Sequence, residues 1–342
     1  MTHSAAVVGA GIGGLAIANY LVQHGWSVDV FERSASLPAT GTALGMWPEA
    51  LAALDAIGCG DRVRSVGAEQ RTGAIKARDG SVIANITSHR GSTYLISRPP
   101  LLAALADTLP DGVVTYSSTV SDAAALSGYD VVIGADGVNS RIRTTVAGRE
   151  VAPRFLGVSA LIGWAPGATD SATETWGDGR IFGVTPRDGN RTNWFSAYSE
   201  DIDTEPPADT ADMLRRKHIG WHRGVTDVLD RLDEESIVHY RVKEMPPLRN
   251  YVAGNVVLIG DAAHAMAPNL GRGACETLVD SVALGRALTE HGVTEGLRRY
   301  DAQRRKHTQR LVRGANLMCR LAMATRYTGA RNSALRFAAR FA

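Results

Sequence analysis

Three glycine-rich turns, each following a short apolar run, hold the residue types in this 342-residue chain that can do chemistry. The most informative is the stretch from Val256 to Asp280, whose apolar beginning stops abruptly at Gly260 and Asp261. A loop containing Pro268 and then a helical pattern follow. With this order of strand, acidic residue, turn and helix, an α/β protein presents an anion or a cofactor at a strand's carboxyl end. The pattern therefore predicts a binding site without naming its ligand.

A second turn lies near the N-terminus, where an apolar strand leads into Gly9, Gly11 and Gly14 and then into a helical run. This is GxGxxG in the context that binds a dinucleotide pyrophosphate. Gly9 permits the tight turn, Gly11 lets the backbone approach the pyrophosphate, and Gly14 lets the helix pack on the strand. Glu32 ends the next strand, 18 residues after Gly14, where a carboxylate can accept hydrogen bonds from ribose hydroxyls. The motif predicts a dinucleotide but does not separate FAD from NAD.

The third turn follows the strand predicted from Asp130 to Ile133 and carries Asp136 between glycines, ahead of a helix start at Ser140. An aspartate in such a turn can bind a polyol hydroxyl. It can equally cap the helix that follows. Both interpretations stay open at the level of the sequence.

Composition limits the classes of protein to which the chain can belong. A chain of 342 residues predicts two domains, and a net charge of +2 gives no reason to expect a nucleic acid partner. Three scattered cysteines without a CxxC pair fit a reducing cytoplasm, and no metal-ligand spacing occurs, so we expect no bound metal. The uncharged stretch from Ser4 to Val28 contains five glycines and follows no basic segment. It predicts a buried strand and helix rather than a membrane span or signal peptide.

Two parts of the chain show the short alternating runs of antiparallel strands, from Val66 to Ile96 and from Val151 to Pro247. The second part is rich in aromatic residues and predicts a sheet that forms a pocket wall. Along the strand from Arg191 to Tyr198, Phe195 and Trp194 face opposite ways. Phe195 is a candidate substrate contact, although ordinary core packing explains any single aromatic residue as well.

The C-terminal tail, from Leu297 onwards, carries twelve lysine or arginine residues and a single acidic residue, Asp301. One interpretation is a basic helix that touches a membrane surface. We favour the alternative, in which apolar side chains pack on the dinucleotide domain while the arginines stay in solvent.

Together, the three turns resemble the signatures of the single-component flavoprotein aromatic hydroxylases, which include the para-hydroxybenzoate, salicylate, kynurenine and urate hydroxylases. The matching segments are GAGIGG with Glu32, GADGVNSRIR and GDAAHAMAPNLGRGAC, and the match extends to about Leu288. The resemblance implies a Rossmann-like, doubly wound α/β FAD domain with an inserted, mainly antiparallel substrate domain and C-terminal helices. The expected segments are 1–65, 98–150 and 251–290 for the FAD domain, 66–97 and 151–250 for the substrate domain, and 291–342 for the C-terminal helices.

The resemblance also implies individual roles. The FAD contacts it assigns are Arg33 for the adenine, Glu32 for the ribose, Gly9, Gly11 and Gly14 for the pyrophosphate, Asp261 for the ribityl or pyrophosphate region, Arg98 for the flavin or its ribityl chain, and the backbone N–H groups of Gly273, Ala274 and Cys275 for the pyrimidine end. Asp136 belongs to a motif implicated in both FAD and nicotinamide-cofactor binding, and Pro268 would line the active site. Cys275 departs from the family pattern, and we expect a small buried residue there rather than a reactive thiol. No catalytic base is assigned; His264 is expected to pack beside the turn.

The implied reaction is a monooxygenation. NADH or NADPH would visit transiently, because the chain has only one GxGxxG, and would reduce FAD. Reaction with O2 would give a flavin hydroperoxide, whose distal oxygen would hydroxylate or epoxidise an electron-rich small molecule, expected to be aromatic. Two alternatives remain: a reductase or oxidase of the same fold, and an FAD-containing binding or regulatory subunit.

Overall fold

The computed structural model describes residues 2–41, 43–87, 91–170, 172–187, 189–200 and 209–338. The strands in this part of the chain are β1 Ser4–Val8, β2 Ser27–Phe31, β3 Ala43–Met46, β4 Ala68–Gln70, β5 Thr72–Ala77, β6 Val82–Thr87, β7 Thr93–Ser97, β8 Val114–Thr115, β9 Val131–Gly134, β10 Arg154–Pro166, β11 Thr173–Trp176, β12 Arg180–Arg187, β13 Arg191–Ser199, β14 Val238–Glu244, β15 Val252–Ala253 and β16 Val256–Leu258. The helices are α1 Ile12–Gln23, α2 Pro48–Ala56, α3 Gly60–Val66, α4 Arg98–Ala106, α5 Ile142–Ala147, α6 Thr210–Lys217, α7 Arg223–Leu229, α8 Asp261–His264, α9 Gly273–Ala322 and α10 Thr328–Ala338.

A six-stranded sheet has the order β15-β16-β9-β1-β2-β8, and its neighbours are parallel except for the β15–β16 pair. Its central strands are almost entirely buried, as expected for a parallel sheet that helices cover. The register places Val8 beside Gly134 and Gly134 beside Leu258. The three glycine-rich turns, which follow β1, β9 and β16, therefore lie side by side at one edge of the sheet. The predicted α/β fold is confirmed.

A seven-stranded sheet has the order β14-β10-β13-β12-β11-β5-β6 and is antiparallel except between β5 and β11. A small antiparallel sheet pairs β7 with β3 and with β4. The strands predicted between Val66 and Ile96 are thus divided between two sheets. Strands β5 and β6 extend the large sheet, whereas β4 and β7 join β3, a division that local sequence patterns do not reveal.

The long helix α9 connects the two large sheets. It is interrupted at Gly292, whose backbone is not helical (φ 72°, ψ 176°). Leu297 and Tyr300 belong to the core around the six-stranded sheet. Cys319 and Met323, at the far end, pack instead against the face of the seven-stranded sheet.

The prediction that the C-terminal apolar side chains pack on the dinucleotide domain is therefore right only for the beginning of the tail. A helix that rises 1.5 Å per residue is long enough to reach the second sheet. None of the described helices combines the length and the apolar character needed to cross a membrane.

Candidate active site

A cavity of about 520 Å³ lies between the edge that carries the three turns and one face of the seven-stranded sheet. All three turns and the beginning of α9 contribute to its wall. The residues that line this side are Gly11, Ile12, Gly13, Ala135, Gly137, Gly260, Asp261, Gly273, Ala274 and Thr277. The topology thus brings together segments as far apart in the sequence as Gly11 and Thr277.

The first turn has the backbone geometry that the GxGxxG motif predicts. Gly9 adopts φ +104°, and a Cβ there would lie 2.6 Å from the carbonyl oxygen of Ala135. A Cβ at Gly14 would lie 1.8 Å from the carbonyl oxygen of Gly9, so helix α1 packs against its own turn. Gly11 differs from both, because it lines the cavity and a Cβ there would meet no atom within 4 Å.

The open space beside Gly11 recurs at the second turn, which follows β9, and at the beginning of α9. Gly137 and Gly273 also line the cavity, and a Cβ at either position would meet no atom within 4 Å. Main-chain groups are thereby exposed along one side of the cavity, together with the N-terminus of α1, whose first N–H groups favour an anion. This side of the cavity, formed by the three turns and the beginning of α9, is called the cradle below. It fits the pyrophosphate and ring system of FAD.

Glu32, at the end of β2, supports the first turn. Its carboxylate accepts hydrogen bonds from the backbone N–H of Ala10 and of Ser34, both at 2.8 Å. Burial opposes ionisation of this carboxyl, but the two backbone hydrogen bonds outweigh it and lower the pKa of Glu32. Arg33, beside it, is exposed and lies outside the described lining of the cavity.

Asp136 takes one of the two roles that the sequence left open, the helix cap. Oδ2 accepts hydrogen bonds from the N–H groups of Arg141 (2.7 Å) and Ile142 (3.3 Å), at the start of α5. Oδ1 is buried and has no hydrogen-bond partner in the described part of the chain. One oxygen therefore caps the helix, and the other is buried beside the cavity, which is lined by the flanking residues Ala135 and Gly137.

Asp261 and Arg98 both line the cavity. Asp261 begins the short helix α8, after Gly260, which adopts a positive φ of 59°. Its carboxyl is open to the cavity yet lies deep within the protein, and this burial raises its pKa against the opposing charges of His264 and Arg98. Arg98 begins α4 and makes no ion pair with any described residue, so its charge is available to the cavity.

Gly273 and Ala274 line the cavity at the N-terminus of α9, whereas the side chain of Cys275 points away from it. The Cys275 thiol is buried and donates a hydrogen bond to the carbonyl oxygen of Gly45 at 3.0 Å. Burial raises its pKa to about 11, which keeps it protonated and unreactive. Pro268 lines the cavity from the loop before α9.

A buried network of charges that sequence reasoning missed holds the third turn. Asp280 accepts hydrogen bonds from the backbone N–H of Gly260 (3.0 Å) and from His264 Nε2 (2.6 Å) through Oδ2. Its Oδ1 accepts one from Arg304 Nε at 2.6 Å, and Arg304 Nη2 donates to Glu276 at 2.6 Å. All four side chains are less than a tenth exposed.

These contacts explain why His264 is not a free base. Burial disfavours its charged form, but Asp280 outweighs that effect and raises the pKa of His264. His264 is therefore a fixed partner of Asp280, as the packing interpretation expects. Asp280 and Arg304 are 24 residues apart on one long helix that is interrupted between them. Their contact therefore cannot be predicted from the spacing of residues along a regular helix.

The seven-stranded sheet forms the opposite wall. Alternate residues of β13 face the cavity, among them Phe195, while Trp194 and Tyr198 pack in a separate core on the other face. Ala197 of the same strand and apolar side chains of the neighbouring strands continue this wall, the latter being Val158, Ala160, Ile162, Ile181, Tyr240 and Val242. Cys319 and Met323 of α9 close it. Glu174 on β11 also lines the cavity, and nothing in the sequence distinguished it from a surface carboxylate.

The family model of the FAD binding domain matches residues 2–109 and 125–315. The aurachin C monooxygenase/isomerase of Stigmatella aurantiaca is 29% identical over 334 residues, which are 90% of this chain and 87% of that protein. The 3-amino-4-hydroxybenzoate 2-monooxygenase of Streptomyces cremeus is 31% identical over 342 residues, covering 91% of this chain and 85% of that protein.

A solved structure of Klebsiella pneumoniae HpxO, complexed with FAD and uric acid, shares the fold. Its TM-score is 0.89 at 24% sequence identity, with 98% of this chain and 93% of that chain covered. Sequence, cradle and relatives agree: the chain belongs to the FAD binding domain family and is an FAD-dependent monooxygenase of the aromatic hydroxylase type.

Proposed function

We propose that FAD lies along the cavity from the β1–α1 turn to the N-terminus of α9, and that an electron-rich aromatic small molecule binds against the seven-stranded sheet. The observation that carries this proposal is the continuity of the cavity. One space joins the three glycine-rich turns to the apolar sheet face. Relatives that act on an aminohydroxybenzoate and on aurachin C support an aromatic substrate. NADH or NADPH would be the reductant and O2 the co-substrate.

Each residue of the cradle receives a role in this proposal. Those that would hold FAD are Gly9, Gly11 and Gly14 at the pyrophosphate, Glu32 at the ribose, Arg33 towards the adenine, Asp136 through its free oxygen, Asp261 and Arg98 along the ribityl chain, and the N–H groups of Gly273, Ala274 and Cys275 at the pyrimidine end. Phe195 and Pro268 would contact the substrate. Glu32 and Arg33 would both act from outside the described cavity wall, and the two carboxylate oxygens of Glu32 already accept backbone hydrogen bonds.

When bound, FAD supplies the redox chemistry, taking electrons from NAD(P)H and delivering them to O2. The chain contributes charge placement and exclusion of water. The N-terminus of α9 directs its N–H dipoles at the pyrimidine end, where they stabilise negative charge without reorganisation. The apolar sheet face and the end of α9 keep water away from the reacting atoms.

We also propose the domain division 1–65, 98–150 and 251–290 for the FAD domain, 66–97 and 151–250 for the substrate domain, and 291–342 for the C-terminal helices. Strands β1, β9 and β16 support the first assignment, because all three belong to one sheet. The cytoplasm is the proposed compartment. Three free, buried cysteines and the need for a nicotinamide reductant fit that location.

Gly11 offers a variant that separates cofactor binding from folding. The backbone of Gly11 is extended (φ −78°, ψ −174°), which any residue can adopt, and a side chain would enter only the cavity. Gly11→Val is therefore expected to keep the melting temperature of the apoprotein while weakening FAD binding roughly 100-fold, by blocking the close approach of the pyrophosphate. Titration of apoprotein with FAD, followed by flavin fluorescence, measures this. Unchanged FAD affinity in Gly11→Val would place the pyrophosphate elsewhere.

The test of the proposed function is oxygen transfer by the FAD-loaded protein. NADH or NADPH consumption in air is followed with a panel of phenols, quinolones and larger aromatic compounds, and products are weighed by mass spectrometry. We expect ligand-stimulated consumption and a product heavier by one oxygen atom. Stoichiometric reduction of a ligand, with no added oxygen, would favour the reductase alternative. Tight FAD binding without NAD(P)H oxidation under any ligand would favour a binding or regulatory subunit.

A further inference from the structure

The substrate side of the cavity has an unusual distribution of charge. Among the residues the structure describes there, the seven-stranded sheet contributes one charged side chain, Glu174, to an otherwise apolar or uncharged wall. The other charged groups in the described lining are Asp261 and Arg98, both on the proposed FAD side. A substrate carboxylate held against this sheet would thus lose its water and meet a carboxylate rather than a cation. Burying an anion without a partner is strongly unfavourable.

Glu174 is fixed in position rather than free to swing away. Trp176, two residues along the same strand and therefore on the same face, donates a hydrogen bond from Nε1 to Glu174 Oε2 at 3.0 Å. The Trp176 ring is buried, with the guanidinium carbon of Arg331 5.3 Å from its centroid. The second oxygen of Glu174 makes no hydrogen bond to another described residue. Glu174 thus presents an unused acceptor to the cavity.

An aromatic surface adjoins this acceptor. Strand register places Glu174 beside Gly183, and Gly183 beside Phe195. A Cβ at Gly183 would lie 1.9 Å from Cε1 of Phe195, so the Phe195 ring covers the glycine and extends towards Glu174. The Phe195 ring can occupy this position because Gly183 has no side chain. A flat ring that stacks on Phe195 would have one edge within the reach of a carboxylate.

We infer that the substrate side of the cavity, called the chamber below, selects an uncharged aromatic ring system that carries an N–H or O–H donor. Glu174 accepts the hydrogen bond from that donor. This inference rests on the proposed function, since it names the substrate class of the same site. Glu174 is here a specificity-determining residue. The acceptor is the oxygen of Glu174 that the hydrogen bond from Trp176 leaves unused.

The test compares three ligands with one ring system on the FAD-loaded protein: 2-naphthol, 2-methoxynaphthalene and 2-naphthoate. Binding is read from the change in the flavin absorbance spectrum, which requires no turnover. Because a hydrogen bond to a charged group is at stake, 2-naphthol is expected to bind about tenfold more tightly than 2-methoxynaphthalene. 2-Naphthoate is expected to bind more weakly than either.

Two variants assign the preference to Glu174. Glu174→Leu should lose the tenfold advantage of 2-naphthol while leaving 2-methoxynaphthalene unchanged. Glu174→Gln, which keeps shape and an acceptor, should hold 2-naphthol within about threefold and bind 2-naphthoate more tightly, because the repulsion between two carboxylates is removed. FAD content and melting temperature of each variant serve as controls, and Glu174→Gln alone suffices if the leucine variant does not fold.

The inference is overturned if 2-naphthoate binds most tightly, if none of the three ligands binds, or if Glu174→Gln leaves the affinity for 2-naphthoate unchanged. Failure of the proposed function looks different. In that case, 2-naphthol binds with the expected dependence on Glu174, yet no ligand in any panel acquires an oxygen atom. Conversely, efficient hydroxylation of aromatic carboxylates would uphold the monooxygenase while ending the inference.

Gly183 provides an independent prediction for the same chamber. In Gly183→Ala, the new methyl group would overlap the Phe195 ring, which must then turn into the open cavity beside it. We expect FAD content to stay the same and the affinity for 2-naphthol to fall about tenfold, as the stacking surface is lost. Spectral titration with 2-naphthol measures the effect. An unaltered affinity would show that the ligand does not use Phe195.

Discussion

Replacing Arg304 with methionine is expected to lower the free energy of unfolding by about 3–5 kcal/mol, because it removes the guanidinium that donates to both buried carboxylates. Among the described side chains, Asp280 then keeps only His264 as a hydrogen-bonded partner, and Glu276 keeps only Arg272. The hydrogen bonds from Arg304 to the two carboxylates each measure 2.6 Å, and the Asp280 side chain is completely buried. Chemical denaturation of the apoprotein measures the change. The same variant should also lose FAD affinity, since Asp280 holds the backbone of Gly260 at the third turn.

The neighbouring residue supplies a matched control. Arg305 pairs with Asp301 one helical turn away, at 3.1 Å, where both side chains are partly open to solvent. Arg305→Met should lower the free energy of unfolding by roughly 0.5 kcal/mol, which is typical for the loss of an ion pair on a helix surface. Equal losses in the two variants would show that the buried network carries no special stability.

Lowering the pH should remove much of the difference in unfolding free energy between the wild type and Arg304→Met. Burial alone would raise the pKa of Asp280, but His264 and Arg304 outweigh it and hold that pKa at about 2. A carboxyl with a lowered folded-state pKa contributes its stability above its unfolded value, about 3.9, and loses it as pH falls towards 2. Without Arg304 the folded-state pKa rises, so the variant loses less stability on acidification. A difference in unfolding free energy between wild type and variant that increased below pH 4 would contradict this account.

The substitution Gly14→Ala is expected to have the second large effect. It adds one methyl group at a point 1.8 Å from the carbonyl oxygen of Gly9, so backbone must move. Overpacking against main chain rather than a side chain should cost about 3 kcal/mol and displace the whole β1–α1 turn. We expect apoprotein with a lowered melting temperature and a colourless preparation after purification.

Comparison with Gly11→Val makes this result specific. Valine at position 11 adds three carbon atoms but enters empty space, whereas alanine at position 14 adds one and meets the chain. The smaller change should therefore destabilise the fold, and the larger change should affect only FAD binding. A Gly14→Ala protein with normal stability and flavin content would mean that α1 can shift away from its turn at little cost.

The sequence by itself determined the glycine-rich turns that form one side of the cavity. Gly9, Gly11 and Gly14 follow a strand and open a helix, and this local order of strand, glycines and helix is visible in the sequence. The same holds for Asp136 and Asp261, each placed at the end of an apolar strand. The conformation of a short turn and the hydrophobic period of a strand or helix can both be read from a local stretch of sequence.

Only the tertiary structure decided what the cavity offers a substrate. Whether Phe195 or Trp194 faces the cavity depends on which elements cover each side of the seven-stranded sheet, and those come from distant segments such as α9. The place of Glu174 depends on its register with β12, and the contact of Asp280 with Arg304 depends on the break in α9 at Gly292. These are long-range pairings, set by the packing of elements far apart in the chain, so no local pattern could specify them.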